Sequence, residues 1–262
     1  MQPTKDKPTG KGMVLTGRDR EVVAAVADFQ VLTRLQFIRL GYFGSKTRAN
    51  ARLASLVRFG YLSRQSLPAL AGTTQALYFV GPRAASLLDK PAELVRQQRT
   101  RLKRVAELFL EHQLRLNDVR LAFATRSELK TESWLTDTTL RERQLGLIPD
   151  AYVEYICAGK SFSAFVELDR GTETLARWQG KTKAYLQVAL SGRYQAAFGR
   201  RYFRVLVVAL TAARLEHLRQ EIGKQTNKIF WLTTLDRLVE NGPVAAIWWR
   251  LSENGLHSLN EP

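Results

Sequence analysis

The chain holds one cysteine, Cys157, among 262 residues. A single thiol excludes an internal disulfide and a thiolate zinc site, and it suits a reducing cytosol. The three histidines, His112, His217 and His257, lie far apart without metal-ligand spacing. No run of about 18 apolar residues occurs, so no segment is expected to span a membrane. The opening MQPTKDKPTGKGMVLTGRD carries charge but no apolar stretch, which argues against a secretion signal. The expected location is therefore the cytoplasm. Internal repeats and low-complexity tracts are absent as well.

Acidic residues are scarce in one region only. From Met1 to Arg104, 19 lysines and arginines face 6 acidic residues, a surplus of 13. The remaining residues carry 21 against 18, and the whole chain is +16. A basic surplus confined to one end is the electrostatic footprint of a module that binds a polyanion, since each phosphate neutralised releases condensed counterions. At 45% hydrophobic and 24% charged, the composition is that of a folded protein with room for two domains.

Residues 1–15 read as a flexible basic arm. Val22, Val23, Val26 and Phe29 then fall on one helical stripe, with capping residues in Thr16-Gly17-Arg18-Asp19. Thr33 caps a second short helix that Gly41 ends. Ser45 caps a third, KTRANARLASLVRF, which buries Ala49, Leu53, Leu56 and Val57 and stops at Gly60. Two apolar stretches, 61–64 and 76–80, flank a Gly/Pro-bearing loop and predict a β-hairpin. Three short helices and a hairpin make a winged helix-turn-helix plan over residues 16–90. On its third helix Lys46, Thr47, Arg48, Asn50, Arg52, Ser55 and Arg58 are the expected DNA-contacting residues, joined by Arg64 of the hairpin. Small residues beside arginines let a helix approach the major groove closely. The alternative is a solvated basic face.

Pro82 and Pro91 bracket a short helical segment. A long helix is expected from about Ala92, basic at first (Arg96, Arg99, Arg101, Lys103, Arg104) and apolar later. The second domain, 91–262, then reads as strands at 133–136, 148–156 and 163–168 and a helix at 174–189. A strand at 203–210, a helix at 213–222, a strand at 228–234 and a last apolar stretch, 244–251, follow. The order from the long helix is α-β-β-β-α-β, an α/β arrangement with elements appended.

If Ala158-Gly159 form a two-residue turn, Cys157 faces Lys160 and Asp150 sits opposite Glu167. Asp169 shares the face of Glu167, so three carboxylates converge at one hairpin end. Their repulsion calls for a cation, and Mg²⁺ or Mn²⁺ would answer it, with Asp150, Glu167 and Asp169 as metal ligands. The alternative is an ion-pair network in which Arg170, Arg177, Lys181 or Lys183 balances the acids and Thr172 caps the next helix. Trp231, Trp248 and Trp249 read as core or subunit contacts.

Pro149-Asp150 followed by Glu167-Leu168-Asp169, in this element order, resembles the PD-(D/E)xK nuclease superfamily, a restriction-endonuclease-like fold. The resemblance implies metal binding by the Asp and Glu and water activation by a lysine two positions after the Glu. Asp169 stands at that position, so the implied catalytic set is Asp150, Glu167 and Asp169 with Lys181 or Lys183 supplied by the following helix. The winged helix, the segment HQLRLNDV at 112–119, Pro149-Asp150-Ala151 and the block ELDRGTE at 167–173 with Lys181 and Tyr185 are together similar to the replication-relaxation family of plasmids and other mobile elements. That likeness implies a part in replication or transfer-origin processing, with duplex DNA and other replication or relaxosome proteins as partners. A metal-dependent endonuclease and a transcription repressor that dimerises through its second domain are the competing readings.

Overall fold

The computed structural model describes residues 13–68, 74–88, 93 and 107–261. Most of the basic arm, the hairpin tip and the arginine-rich segment from Arg96 to Arg104 lie outside the described residues. The chain divides between Leu110 and Glu111 into two compact units.

In the first unit, α1 spans Gly17–Phe29, β1 Leu32–Thr33, α2 Arg34–Arg39, α3 Lys46–Arg58, β2 Leu62–Pro68 and β3 Thr74–Val80. Each helix begins where the sequence supplies a side-chain oxygen. Thr16 accepts from the Asp19 N–H, Thr33 from the Gln36 N–H and Ser45 from the Arg48 N–H. Asp19 and Gln36 reach back to the cap backbone, which completes two capping boxes. The three strands form an antiparallel sheet in the order β1-β3-β2, with Leu62 opposite Val80. The hairpin strands are longer than the apolar stretches alone predicted, because the polar residues Gln65 and Ser66 continue the ladder. Among the described residues between Pro82 and Pro91 the chain makes a 3₁₀ turn, Ala84–Ser86.

Two of the expected DNA-contacting residues, Arg52 and Ser55, are half-buried and bond to residues near the start of α1. Arg52 donates from Nε to Asp19 Oδ1 at 2.7 Å, pairs through Nη2 with Oδ2, and reaches the Val14 carbonyl at 3.0 Å. Asp19 is 1% exposed. Burial pushes its carboxyl up, but Arg52 and the Thr16 N–H and O–H outweigh that and hold it below its ordinary value. Arg52 thus staples α3 to the start of α1. Ser55 is half-buried against the Met13 sulfur. Val57, expected in the core, is also half-buried.

The second unit is built on a seven-stranded mixed sheet in the order β10-β9-β8-β7-β6-β5-β4. After α4 (Glu107–Ala124) come β4 (Leu129–Thr136), α5 (Asp137–Arg141), β5 (Ala151–Cys157) and β6 (Lys160–Asp169). They are followed by α6 (Leu175–Leu190), α7 (Arg193–Phe198), β7 (Arg204–Ala209), α8 (Ala212–Gly223) and β8 (Phe230–Thr234). α9 (Leu235–Asn241), β9 (Trp248–Arg250) and β10 (Leu256–His257) close the chain. The pairs β6/β7 and β7/β8 are parallel, and the other pairs are antiparallel.

Strand alternation sends residues to two cores. On one face Val166, Leu168, Leu206 and Val208 pack with Val119 and Phe123 of α4, Leu235 and Leu238 of α9, and Trp248. On the other face Phe165, Val205 and Val207 pack with Trp178 and Tyr185 of α6 and with Leu215 and Leu218 of α8. Trp231 and Trp248 belong to the first core, and the Trp248 N–H donates to the Pro243 carbonyl at 2.8 Å. Short α5, α7 and α9 and the two-residue β10 carry too few residues for a sequence period to show. The cap of α6 is Thr174, which accepts from the Arg177 N–H, not Thr172.

Replacing Arg52 by Ala leaves a buried carboxylate without its cation, so it should cost roughly 2 kcal/mol of stability. Urea denaturation of Arg52→Ala against wild type measures it. A surface arginine would change stability by less than about 0.5 kcal/mol.

Candidate functional site

The hairpin of β5 and β6 places the acids. Ala158 and Gly159 both take positive φ, +47° and +74°, the pattern of a two-residue hairpin turn whose twist matches its strands. Cys157 pairs with Lys160, and the ladder runs in constant register to Ala151 opposite Val166. Asp150 and Glu167 are the next residues along, just beyond that ladder. Asp150 Oδ2 accepts the Leu168 N–H at 2.8 Å, and its Oδ1 lies 3.1 Å from His112 Nε2 of α4.

Glu167 is 1% exposed. Its two oxygens accept from Lys181 Nζ at 2.8 Å and from the Tyr185 hydroxyl at 2.6 Å, both on α6. Those two residues lie four apart on the helix, hence on the face turned to the sheet. Lys181 also lies 2.9 Å from Glu173. One ammonium therefore serves Glu167 and Glu173 in the presence of Asp150. Burial first, and then the Asp150 charge, push the Glu167 carboxyl up to about 7 against the pull of Lys181 and Tyr185. Burial works against the Lys181 ammonium, but Glu167, Glu173 and Asp150 carry it above its ordinary value. Tyr185 is raised by burial and by Glu167.

Asp169 is on the same face but is engaged elsewhere. Oδ1 accepts from the Gly171 N–H at 2.7 Å and Arg214 Nε at 2.8 Å. Oδ2 accepts from Trp178 Nε1 at 2.6 Å and Arg214 Nη2 at 2.9 Å. Four donors fill a carboxylate's acceptor directions and leave none for a cation. Burial raises this carboxyl, but Arg214, Trp178 and Gly171 together hold it below its ordinary value.

Of the two lysines expected to complete the set, Lys181 joins Glu167 and Lys183 is exposed elsewhere on α6. Arg170 lies 3.6 Å from Glu111 and Arg177 lies 3.3 Å from Glu173, so neither balances Glu167 or Asp169 directly. The cations that do are Lys181 and Arg214. Sequence reasoning missed Arg214 and the contact of His112 with Asp150, because both pairings join residues 38 or more positions apart. Only the polar stretch that opens HQLRLNDV hinted at His112.

Among the described residues, no group of three or more His, Cys, Asp or Glu side chains is placed to hold a metal. Of the three carboxylates expected as metal ligands, Asp150 and Glu167 keep acceptor directions that other donors do not fill and could present hard oxygens to a cation. They suit one that keeps most of its water and takes few protein ligands, as Mg²⁺ and Mn²⁺ do.

In the first unit, Lys46, Thr47, Arg48, Asn50 and Arg58 are exposed along α3, with Ala51 and Ala54 between them, and Arg64 is exposed on β2. Arg34 Nη1 donates to Asn50 Oδ1 at 2.8 Å. A groove of about 820 Å³ runs between α3 and the hairpin, lined by Arg34, Asn50, Ala54, Arg58, Arg64 and Tyr78 among others.

Residues 23–201, more than half of the chain, match the family described as Replication-relaxation, and the chain belongs to that family. No curated protein matches it. Among solved structures, restriction endonuclease FokI is similar at 9% identity and a TM-score of 0.34, over 85% of this chain and 42% of that one.

The Asp169–Arg214 pair predicts that Arg214→Ala, which strands a buried charge, destabilises by about 3 kcal/mol in urea denaturation. The raised Glu167 carboxyl also sets a pH dependence. A folded-state value near 7 above an unfolded value of 4.5 stabilises fully below 4.5 and is lost as pH rises through 7. Stability measured from pH 4.5 to 8 should fall more steeply in wild type than in Glu167→Gln, which carries no such titration.

Proposed function

We propose that this replication-relaxation family protein docks on duplex DNA through a winged helix in its first unit. In that role it would serve replication or transfer-origin processing on a plasmid or other mobile element. The observation that carries the reading is the exposed face of α3. Arg48 and Arg58 project beside Thr47, Asn50, Ala51 and Ala54, on a helix whose opposite face is buried through Ala49, Leu53 and Leu56. A helix with small residues and arginines on its free face fits a major groove about 12 Å wide, where arginine can reach guanine edges or phosphates. Arg64 on β2 and Arg34 at the start of α2 extend the same basic surface along the groove. The regional surplus of 13 positive charges supplies the nonspecific attraction.

A second reading, a metal-dependent endonuclease with a nuclease-like second unit, is favoured by the Asp150–Glu167 juxtaposition and by Lys181 at hydrogen-bond distance from Glu167. Asp150 and Glu167 would hold Mg²⁺ or Mn²⁺. When bound, the cation would supply Lewis-acid stabilisation to a phosphodiester under attack. Lys181 would hold the Glu167 carboxylate in place, and His112 and the Leu168 N–H would fix Asp150. Against this, the lysine of the E-x-K motif is absent and Lys181 already compensates Glu167 from within. The binding reading therefore stands first.

Electrophoretic mobility shifts of duplex DNA across 50–300 mM salt test the docking reading. Duplex affinity should fall steeply with salt, and Arg48→Ala/Arg58→Ala should lower the log–log slope by about two and the affinity at least tenfold. Salt-insensitive binding, or binding unchanged in the double variant, would overturn the docking reading. Incubation of the protein with supercoiled and branched DNA and Mg²⁺ or Mn²⁺ decides the second reading. Products that vanish in Asp150→Asn and Glu167→Gln support it, and their persistence in both variants rejects it.

A further inference from the structure

The parallel strands β6 and β7 end at the acids just described and begin at a different surface. From Ser161 to Glu167 a strand extends about 20 Å, so the two ends of the sheet are well separated. At the starting end lies a cleft of about 520 Å³, lined by Ser161, Phe162, Arg200, Arg201, Tyr202 and Arg204 among others. Three of these residues are arginines, and none of the described residues lining the cleft is acidic.

Two of the arginines are fixed by the fold. Arg200 donates from Nε to Glu154 at 2.9 Å and from both terminal nitrogens to Ser161 Oγ at 3.0 Å. Arg204 lies over the rings of Phe162, at 4.8 Å, and Trp231, at 4.3 Å, and donates to the carbonyls of Leu259 and Glu261. Its close partners are rings, carbonyls and the Tyr155 hydroxyl; among the described residues it forms no ion pair, and the Glu261 carboxylate acts on it only through its field. Burial first, and Arg250 after it, lower its affinity for the proton against the opposing pull of Tyr155 and Glu261.

Between them Tyr202 stands 78% exposed, with the Arg201 guanidinium 5.7 Å from its ring. Its neighbour Phe203 is 7% exposed and packs in the second core, so this turn of chain has an apolar anchor that does not need Tyr202. A single exposed ring is ordinary on a protein surface. An exposed ring bordered by guanidinium groups, on a surface whose lining lacks acids, is complementary to a ligand with both a π-face and a negative charge. Nucleotides carry both. In a duplex the bases are stacked within the helix and cannot lie on a side-chain ring, whereas an unpaired base can.

We propose that this cleft binds single-stranded DNA, with an unpaired base stacked on Tyr202 and the adjoining phosphate beside Arg201, in the field of Arg200 and Arg204. The site is separate from α3 and does not require the duplex-docking reading to hold. Base–aromatic stacking of about 1–3 kcal/mol corresponds to roughly 5- to 150-fold in affinity.

Fluorescence anisotropy of the full-length chain with a labelled oligothymidylate, and in parallel with a duplex, tests the proposal. Tyr202→Ala should weaken oligothymidylate binding at least fivefold while leaving duplex affinity within twofold. Tyr202→Phe should bind as wild type. Arg201→Gln should weaken binding and reduce its salt slope by about 0.7. Since the Tyr202 side chain is exposed, a melting temperature within 2 °C of wild type is expected for Tyr202→Ala. Oligothymidylate binding that is absent in wild type, unchanged in Tyr202→Ala, or lost in step with duplex binding would overturn the proposal. If duplex docking fails while Tyr202-dependent oligothymidylate binding persists, the α3 reading falls and this one stands.

Discussion

Glu167 and Asp169 are buried one strand-step apart on the same face of β6, and the second unit is organised around neutralising them. A carboxylate out of water is tolerated only when paired and hydrogen-bonded. The partners come from two different helices, Lys181 and Tyr185 from α6 and Arg214 from α8, with Trp178 of α6 completing the shell of Asp169. Each pairing therefore fixes how a helix lies on the sheet as well as balancing a charge. The two acids end in different states. Asp169 takes two bonds from Arg214, which also donates to the Glu173 carbonyl, and is held ionised, while Glu167 shares its ammonium with Glu173 in the field of Asp150 and retains a proton more readily.

The first unit follows a related economy on a smaller scale. Asp19 completes the capping box of α1 and at the same time receives Arg52 from α3. That uses up one arginine of the basic helix for packing and leaves Lys46, Arg48 and Arg58 as its projecting charges. Regional charge and local role thus separate: the surplus of positive charge describes the unit, and only contacts identify which cations are available to a ligand. The same distinction holds in the second unit, where Arg200 and Arg204 are held by internal partners and Arg201 extends beside Tyr202. No described helix is long and apolar enough to cross a membrane.

Local chemistry was legible in the sequence. Thr33 and Ser45 announced two helix starts and the stretch 16–19 offered capping candidates for a third, and Ala158-Gly159 set the hairpin register from which the approach of Asp150 to Glu167 follows. The apolar strand β7 and the long helix α6 were also recognisable, expected at 203–210 and 174–189 and found at Arg204–Ala209 and Leu175–Leu190. Pairings that cross the fold were not. Arg52 looked like a free cation on a basic helix until Asp19 came into view, and Arg214 is 45 positions from the carboxylate it serves. Nothing in local spacing separates Lys181 from Lys183, since a two-residue step on a helix turns a side chain by about 200° and the sheet alone decides which one faces inward. Thr172 and Thr174 posed the same kind of choice for the helix cap. The short α5, α7, α9 and β10 are held by neighbours and not by any pattern of their own.

Asp150 and Glu167 face each other closely enough to share a charge deficit that Lys181 only partly covers. Carbon-13 NMR titration of the Glu167 carboxyl in the intact protein, in wild type and in Asp150→Asn, measures this directly. The account predicts a Glu167 midpoint near 7 in wild type that moves down when Asp150 loses its charge. A midpoint near 4.5 in wild type, or one unmoved by Asp150→Asn, would contradict it.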